Sequence, residues 1–175
     1  WVDQFQYAPN PPVIISQPAG LVTNAGATVQ LAVTASGLGQ LFYQWRRNQT
    51  NTVGVNSPVL TLVDVNRANN GLYSVVVTNV GGSAISSNAA VKVLVPQKFT
   101  SPLRLAGGRV MFLSGDADGG SLTSADLAGF TALVSTNLVD WTPLPNALSI
   151  TNGLLLLQDV NQTNSPARFY RILEP

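Results

Sequence analysis

The sequence predicts an all-β chain of two tandem small β-sandwiches, with an extra strand ahead of the first. Three observations carry this expectation. Fifteen glycines and eleven prolines punctuate short runs of Val, Leu, Thr and Ile, the pattern of strands separated by turns. Helical periodicity is nearly absent; only Ser124 to Ala128 could make a turn or two of helix. Proline marks two boundaries, at residues 9–12 and at Pro96. These divide 175 residues, enough for two modules of ordinary size, into a strand and stiff linker (1–11), a first domain (12–96) and a second (97–175).

In order along the chain, Trp1 to Tyr7 alternates and sets Trp1, Phe5 and Tyr7 on one strand face. Val13 to Gln17 follows the prolines as an edge strand. A turn at Asn24-Ala25-Gly26 leads to residues 29–35, where Val29, Leu31 and Val33 share a face. Leu41 to Arg47 is a strand carrying Trp45, and Leu60-Thr61-Leu62 is another. Asn69-Asn70-Gly71 reads as a turn into residues 72–78, and Asn79 to Gly82 as a hairpin turn into one long strand over residues 84–95. In the second domain, Leu154 to Leu157 is a continuous apolar run, expected as a buried strand.

Composition narrows the chemistry. Only 10% of residues are charged, against about 25% in ordinary soluble proteins. Solubility must come from Asn, Thr, Ser and Gln, as in the run Asn48 to Thr52. Such a neutral polar surface suits an extracellular or cell-surface location. The net charge of +1 and the single basic pair Arg46-Arg47 leave no footprint for nucleic acid. No Cys and no His are present, which removes disulfides, thiolate and imidazole metal sites and the commonest catalytic base. No run of 18 apolar residues occurs, so no membrane-spanning helix is expected. The abrupt start at Trp1 reads as a mature or internal fragment.

Several spacings in residues 12–96 resemble those of the immunoglobulin I-set family. That family places a Cys on its second strand, a Trp about a dozen residues later, then L-x-L and D-x-G-x-Y-x-C. Here Val33 stands at the first Cys position, Trp45 follows, and Leu60-Thr61-Leu62 leads to Asn69-Asn70-Gly71-Leu72-Tyr73-Ser74-Val75, with Val75 at the second. The resemblance implies a core of Val33, Trp45, Leu62, Tyr73 and Val75, with Tyr73 as the tyrosine corner. Losing the bridge removes roughly 2–4 kcal/mol that packing must supply. Residues 97–175 resemble a β-sandwich-like module at the ends of large secreted bacterial proteins, through Gly108 to Leu113, Ser135 to Leu144 and Arg168 to Ile172. That resemblance implies export and architecture, with no activity.

The loop from Gly115 to Ser121, followed by Asp126, is the one candidate metal site. Asp116, Asp118 and Asp126 could offer oxygens to Ca2+, but the EF-hand spacing is absent and a plain polar loop is the favoured reading. No other cofactor is expected. No nucleophile–base pair is visible, so the chain is expected not to be an enzyme. Trp141 could stack on a sugar but is more simply a hairpin anchor. Asn48 and Asn161 fit the N-glycosylation acceptor, and Lys92 or Lys98 could pair with Asn for isopeptide chemistry. The apolar face of Trp1, Phe5 and Tyr7 must be buried somewhere, in its own domain's edge or as a strand donated to a neighbouring copy. The expected function is therefore a structural or adhesive component of the bacterial exterior, a fibre subunit joined to other copies or surface proteins. The alternative is an ancillary glycan- or protein-binding module of a larger secreted enzyme.

Overall fold

The computed structural model describes residues 9–99, 103–104 (backbone), 110–160 and 167–174. The chain divides into two compact units between Leu94 and Val95. Among the described residues every regular element is a strand or a single 3-10 turn, and the fold is all-β.

The first unit has strands β1 (Val13–Ser16), β2 (Leu21–Asn24), β3 (Val29–Ala32), β4 (Thr34–Ser36), β5 (Phe42–Arg47), β6 (Asn51–Val53), β7 (Val59–Leu62), β8 (Gly71–Asn79), β9 (Gly82–Ile85) and β10 (Ala89–Leu94). β1 pairs with β4 and β3 with β7, both antiparallel. The other sheet runs β2-β10-β8-β5-β6, with β9 also on β8. β2 lies parallel to β10, Leu21 opposite Val91. Period-2 alternation drives Val29, Leu31 and Val33 of one layer against Trp45, Tyr73, Val75 and Val77 of the other, all buried.

Of the five residues expected in that core, Val33, Trp45, Tyr73 and Val75 are buried, while Leu62 is only half-buried. Leu62 faces inward opposite Val29 at the end of the β3–β7 ladder, and Leu60, opposite Leu31, takes the central place. Trp45 is fully buried directly across from Val75 on the neighbouring strand, and its indole N–H donates to the Ser57 carbonyl at 2.9 Å. The Tyr73 hydroxyl donates to the Asn69 carbonyl at 2.8 Å. Residues 67–69 form a 3-10 turn rather than a simple loop, capped reciprocally by Asn66 and Asn69 side chains.

The expected long strand over 84–95 is broken. Ser86 interrupts it by donating its N–H to the Val75 carbonyl at 3.0 Å while its hydroxyl accepts the Val75 N–H at 2.9 Å. A side chain thus completes the ladder where the backbone turns away. Residues 9–12 are not a free linker either. Asn79 Nδ2 donates to the Asn10 carbonyl at 3.1 Å, and a Cβ at Gly81 would stand 2.2 Å from the Pro9 carbonyl oxygen and 2.4 Å from that of Asn10. Gly81→Ala therefore must push backbone aside, at about 1–3 kcal/mol. In urea unfolding the loss should largely vanish when residues 1–12 are deleted; a loss that persists would place the strain elsewhere.

These contacts set the poles of the first unit. Residues 9–10 sit at the Asn79 end of β8. β10 runs antiparallel beside β8, Ala89 opposite Tyr73 and Val91 opposite Gly71, and continues past the other end to Leu94. The chain enters at one pole and leaves at the other, separated by the nine residues of β8, about 26 Å.

The second unit has β11 (Gln97–Phe99), β12 (Leu103–Arg104), β13 (Val110–Asp116), β14 (Thr131–Ser135), β15 (Thr142–Pro143), β16 (Leu148–Thr151), β17 (Leu154–Asp159) and β18 (Phe169–Leu173), with a 3-10 turn at Asp126–Gly129. One sheet is β11-β13-β17-β16 with β12 on β13; the other is β15-β14-β18. They pack face to face through Leu155 and Leu157 of the first against Phe130, Ala132, Tyr170 and Ile172. The apolar run is a strand whose alternate members Leu155 and Leu157 are fully buried and Leu154 and Leu156 half-buried. This unit differs in its ends: Gln97 pairs with Asp116 and Leu173 with Thr131. Both lie at the pole where Phe130 meets Leu155.

Candidate functional site

The carboxylates of the candidate metal loop do not form one site. Asp116, 5% exposed, accepts a hydrogen bond from Gln97 Nε2, and Gln97 Oε1 in turn accepts the Ser114 hydroxyl at 2.8 Å. This chain of side chains ties β11 to β13. Asp118 accepts the Gly120 N–H at 2.9 Å. Asp126 accepts both the N–H and the hydroxyl of Thr123, at 2.7 and 2.6 Å, and so closes the turn over residues 123–126, where its own N–H donates to the Thr123 carbonyl at 3.0 Å. Among the described residues no three His, Cys, Asp or Glu side chains gather as metal ligands. Asp116 and Asp118 do approach each other across Gly120, but Asp126 is spent elsewhere.

Sequence reasoning missed the most buried charge. Asp159 is fully buried; it pairs with Arg168 at 2.8 Å and accepts the Tyr170 hydroxyl at 2.9 Å. Burial, then that hydrogen bond and the carboxylate's charge, push the Tyr170 phenol up to about 12. The cluster fastens β18 to β17. Its signal lay in the alternation of Arg168 and Tyr170, two apart and hence on one strand face; their partner Asp159 is distant in sequence. Phe112 stacks beside Tyr170 at 5.1 Å and Phe99 beside Phe112 at 6.1 Å.

The segment from Ser135 to Trp141 is a side-chain knot. Asn137 Oδ1 accepts the N–H groups of Val139 and Asp140 at 2.9 Å, Nδ2 donates to Asp140 at 2.8 Å, and Ser135 Oγ accepts from Leu138 N–H at 2.9 Å. Trp141 is half-buried, its indole donating to the Leu138 carbonyl at 3.3 Å, which is the anchor reading. Leu138 adopts a left-handed φ of 63°, and it and Val139 are exposed. Asn137→Ala is expected to cost about 1 kcal/mol and to speed amide exchange at Val139 and Asp140; unchanged exchange there would show the knot is not what orders the tip.

Asn48 is exposed but engaged: at φ 51°, its N–H donates to the Leu72 carbonyl at 2.7 Å and its Oδ1 accepts the Leu72 N–H at 3.0 Å. Lys92 is half-buried on β10 and Lys98 exposed on β11. Trp1, Phe5, Tyr7 and Asn161 lie outside the described residues. Among the described residues, both units also carry apolar surface away from these groups. On the outer face of the β5–β8–β9 ladder, Phe42 is exposed beside Thr78, and the neighbouring row holds Val76 opposite exposed Ile85. In the second unit, a cleft of about 280 Å3 opens between β15 and β16, lined by Leu127, Phe130, Pro143, Leu144, Pro145 and Leu148 among others.

Facing ladders, the buried Trp45 and the Tyr73 corner arise in the stretch that matches the family model described as Immunoglobulin domain, over residues 11–79. This first unit is an immunoglobulin-like domain. Similar solved structures include a chimeric titin Z1Z2 functionalized with an exogenous peptide from decorin (24% identity, TM-score 0.44, 50% of this chain and 98% of that one). The tandem Ig repeats of Dlar are similar at 25% identity and TM-score 0.45, with 49% of each chain covered. An I-band fragment of titin aligns over 93% of this chain and 64% of its own, at 13% identity and TM-score 0.48. No curated protein sequence matches the chain.

Proposed function

We propose that this chain is a non-catalytic structural or adhesive component of a bacterial exterior, secreted or held at the cell surface, with copies joined into a fibre by strand donation. The observation that carries the reading is the placement of chain ends in the immunoglobulin-like domain. Residues 9–10 are seated at one pole and Leu94 leaves at the other, so the domain works as an in-line spacer whose preceding segment starts from a far end. The carboxylates of the second unit support a non-catalytic role: Asp116, Asp126 and Asp159 are each committed to holding strands or turns.

Negative-stain microscopy and light scattering of the chain, with and without residues 1–7, test the reading. Fibres or long oligomers that vanish on deletion are expected. Monomers in both preparations would overturn polymerisation. The second reading, a glycan- or protein-binding module, draws on the exposed Phe42 and Ile85, on one sheet face with half-buried Val76, and on the exposed Leu138–Val139 tip; glycan or surface-protein binding abolished by Phe42→Ala or Val139→Asp would favour it.

A further inference from the structure

Strand donation requires an acceptor, and the second unit has an edge suited to one. β16 ends its sheet and, among the described residues, pairs only with β17. Asn152 (φ 51°) and Gly153 (φ 76°) form the two-residue turn between them, a geometry that makes Thr151 and Leu154 a hydrogen-bonded pair. Bonded and non-bonded pairs alternate along the ladder. Ser149 therefore bonds to Leu156, as Ala147 does to Gln158, whose N–H donates to the Ala147 carbonyl at 2.8 Å. The N–H and C=O groups of Leu148 and Ile150 consequently point away from β17, along the free edge.

The same edge is incompletely covered. Leu148 and Ile150 face the core cluster of Leu122, Phe130 and Leu155 but stay half-buried, as does Leu127 of the 3-10 turn. The cleft beside them lies under the 300–1,000 Å3 of ordinary small-molecule pockets, carries no charged lining residue, and suits one or two large apolar side chains. The chain holds a segment of matching chemistry. Residues 4–7, Gln-Phe-Gln-Tyr, alternate polar and aromatic over the four-residue length of β16, with Phe5 and Tyr7 on one face. Asp3 shares that face. A register seating Phe5 and Tyr7 against β16 leaves Asp3 and Trp1 beyond the strand's end, in water, and so avoids burying a charge.

We infer that the β15–β16 cleft accepts residues 4–7 of a second copy of this chain as a strand added to the β16 edge, Phe5 and Tyr7 entering the cleft. This rests on the strand-donation reading and names its acceptor. The test is photo-crosslinking of the full chain carrying Phe5→p-benzoylphenylalanine, in a mixture of 15N-labelled and unlabelled copies, with adducts mapped by mass spectrometry. Mixed-isotope adducts within residues 143–151, absent from a chain lacking the probe, are expected. Oligomers that need residues 1–7 but crosslink at another edge would overturn the acceptor and leave strand donation standing. Adducts confined to single copies, or no oligomers and no adducts, would overturn both.

Discussion

Replacing Trp45 by Ala is expected to cost about 3–5 kcal/mol, the range for emptying a fully buried aromatic site. Trp45 is 0% exposed and spans Val53 and Val75 across two strand pairs. A domain of this size holds about 5–15 kcal/mol in all, so the immunoglobulin-like unit should be left marginal or unfolded. Urea unfolding followed by hydrogen exchange in peptides covering residues 29–33 and 73–77 would read the loss locally. Trp45→Phe should cost less, because it keeps most of the volume and surrenders the bond to Ser57. A Trp45→Ala loss below about 1 kcal/mol, well under the usual range, would mean the two sheets close without it.

The second large effect belongs to Asp159. Asp159→Ala removes the buried carboxylate that pairs with the Arg168 guanidinium, 15% exposed, and accepts the Tyr170 hydroxyl, and truncating one partner of a buried pair costs about 3–5 kcal/mol. The lower end is expected, since Arg168 can turn partly toward water. The double variant Asp159→Leu with Arg168→Met should recover most of that loss, because it removes both charges together. A double variant as unstable as the single one would show that the pair's role is shape rather than charge. pH offers an independent reading. The folded protein keeps the Tyr170 proton up to about 12, whereas the unfolded chain releases it near 10.0. Between those values the unfolded state binds fewer protons, so stability falls as pH rises from 10 toward 12 and is whole below 10. Tyr170→Phe should abolish that component of the alkaline loss; a slope unchanged in the variant would assign it to other groups.

Much of the first unit was legible because its determinants are local. Alternation places Val29, Leu31 and Val33 on one face whatever they meet, and Asn79 to Gly82 states a hairpin by turn chemistry alone. The errors came where a side chain substitutes for backbone. Nothing in the run from Ala84 to Val95 announces that the Ser86 hydroxyl will complete the ladder at Val75, because serine is equally at home in an unbroken strand. Leu60 and Leu62 share a face and are indistinguishable by period; only the length of the β3–β7 ladder decides which lies at its centre. In the second unit, the acids around residue 116 drew the eye by composition, yet each binds within its own turn or to β11.

Residue type and near-neighbour spacing suffice for the all-β class, the alternating faces, the positions of most turns and the absence of thiol and imidazole chemistry. Tertiary structure alone decided what crosses long stretches of chain. It seated residues 9–10 on Gly81 and so put the ends of the first domain at opposite poles. It joined Asp159 to Arg168 and Tyr170, and it left the β16 edge open beside an apolar cleft. Such outcomes turn on how sheets close on one another, a property of packing that no single segment encodes.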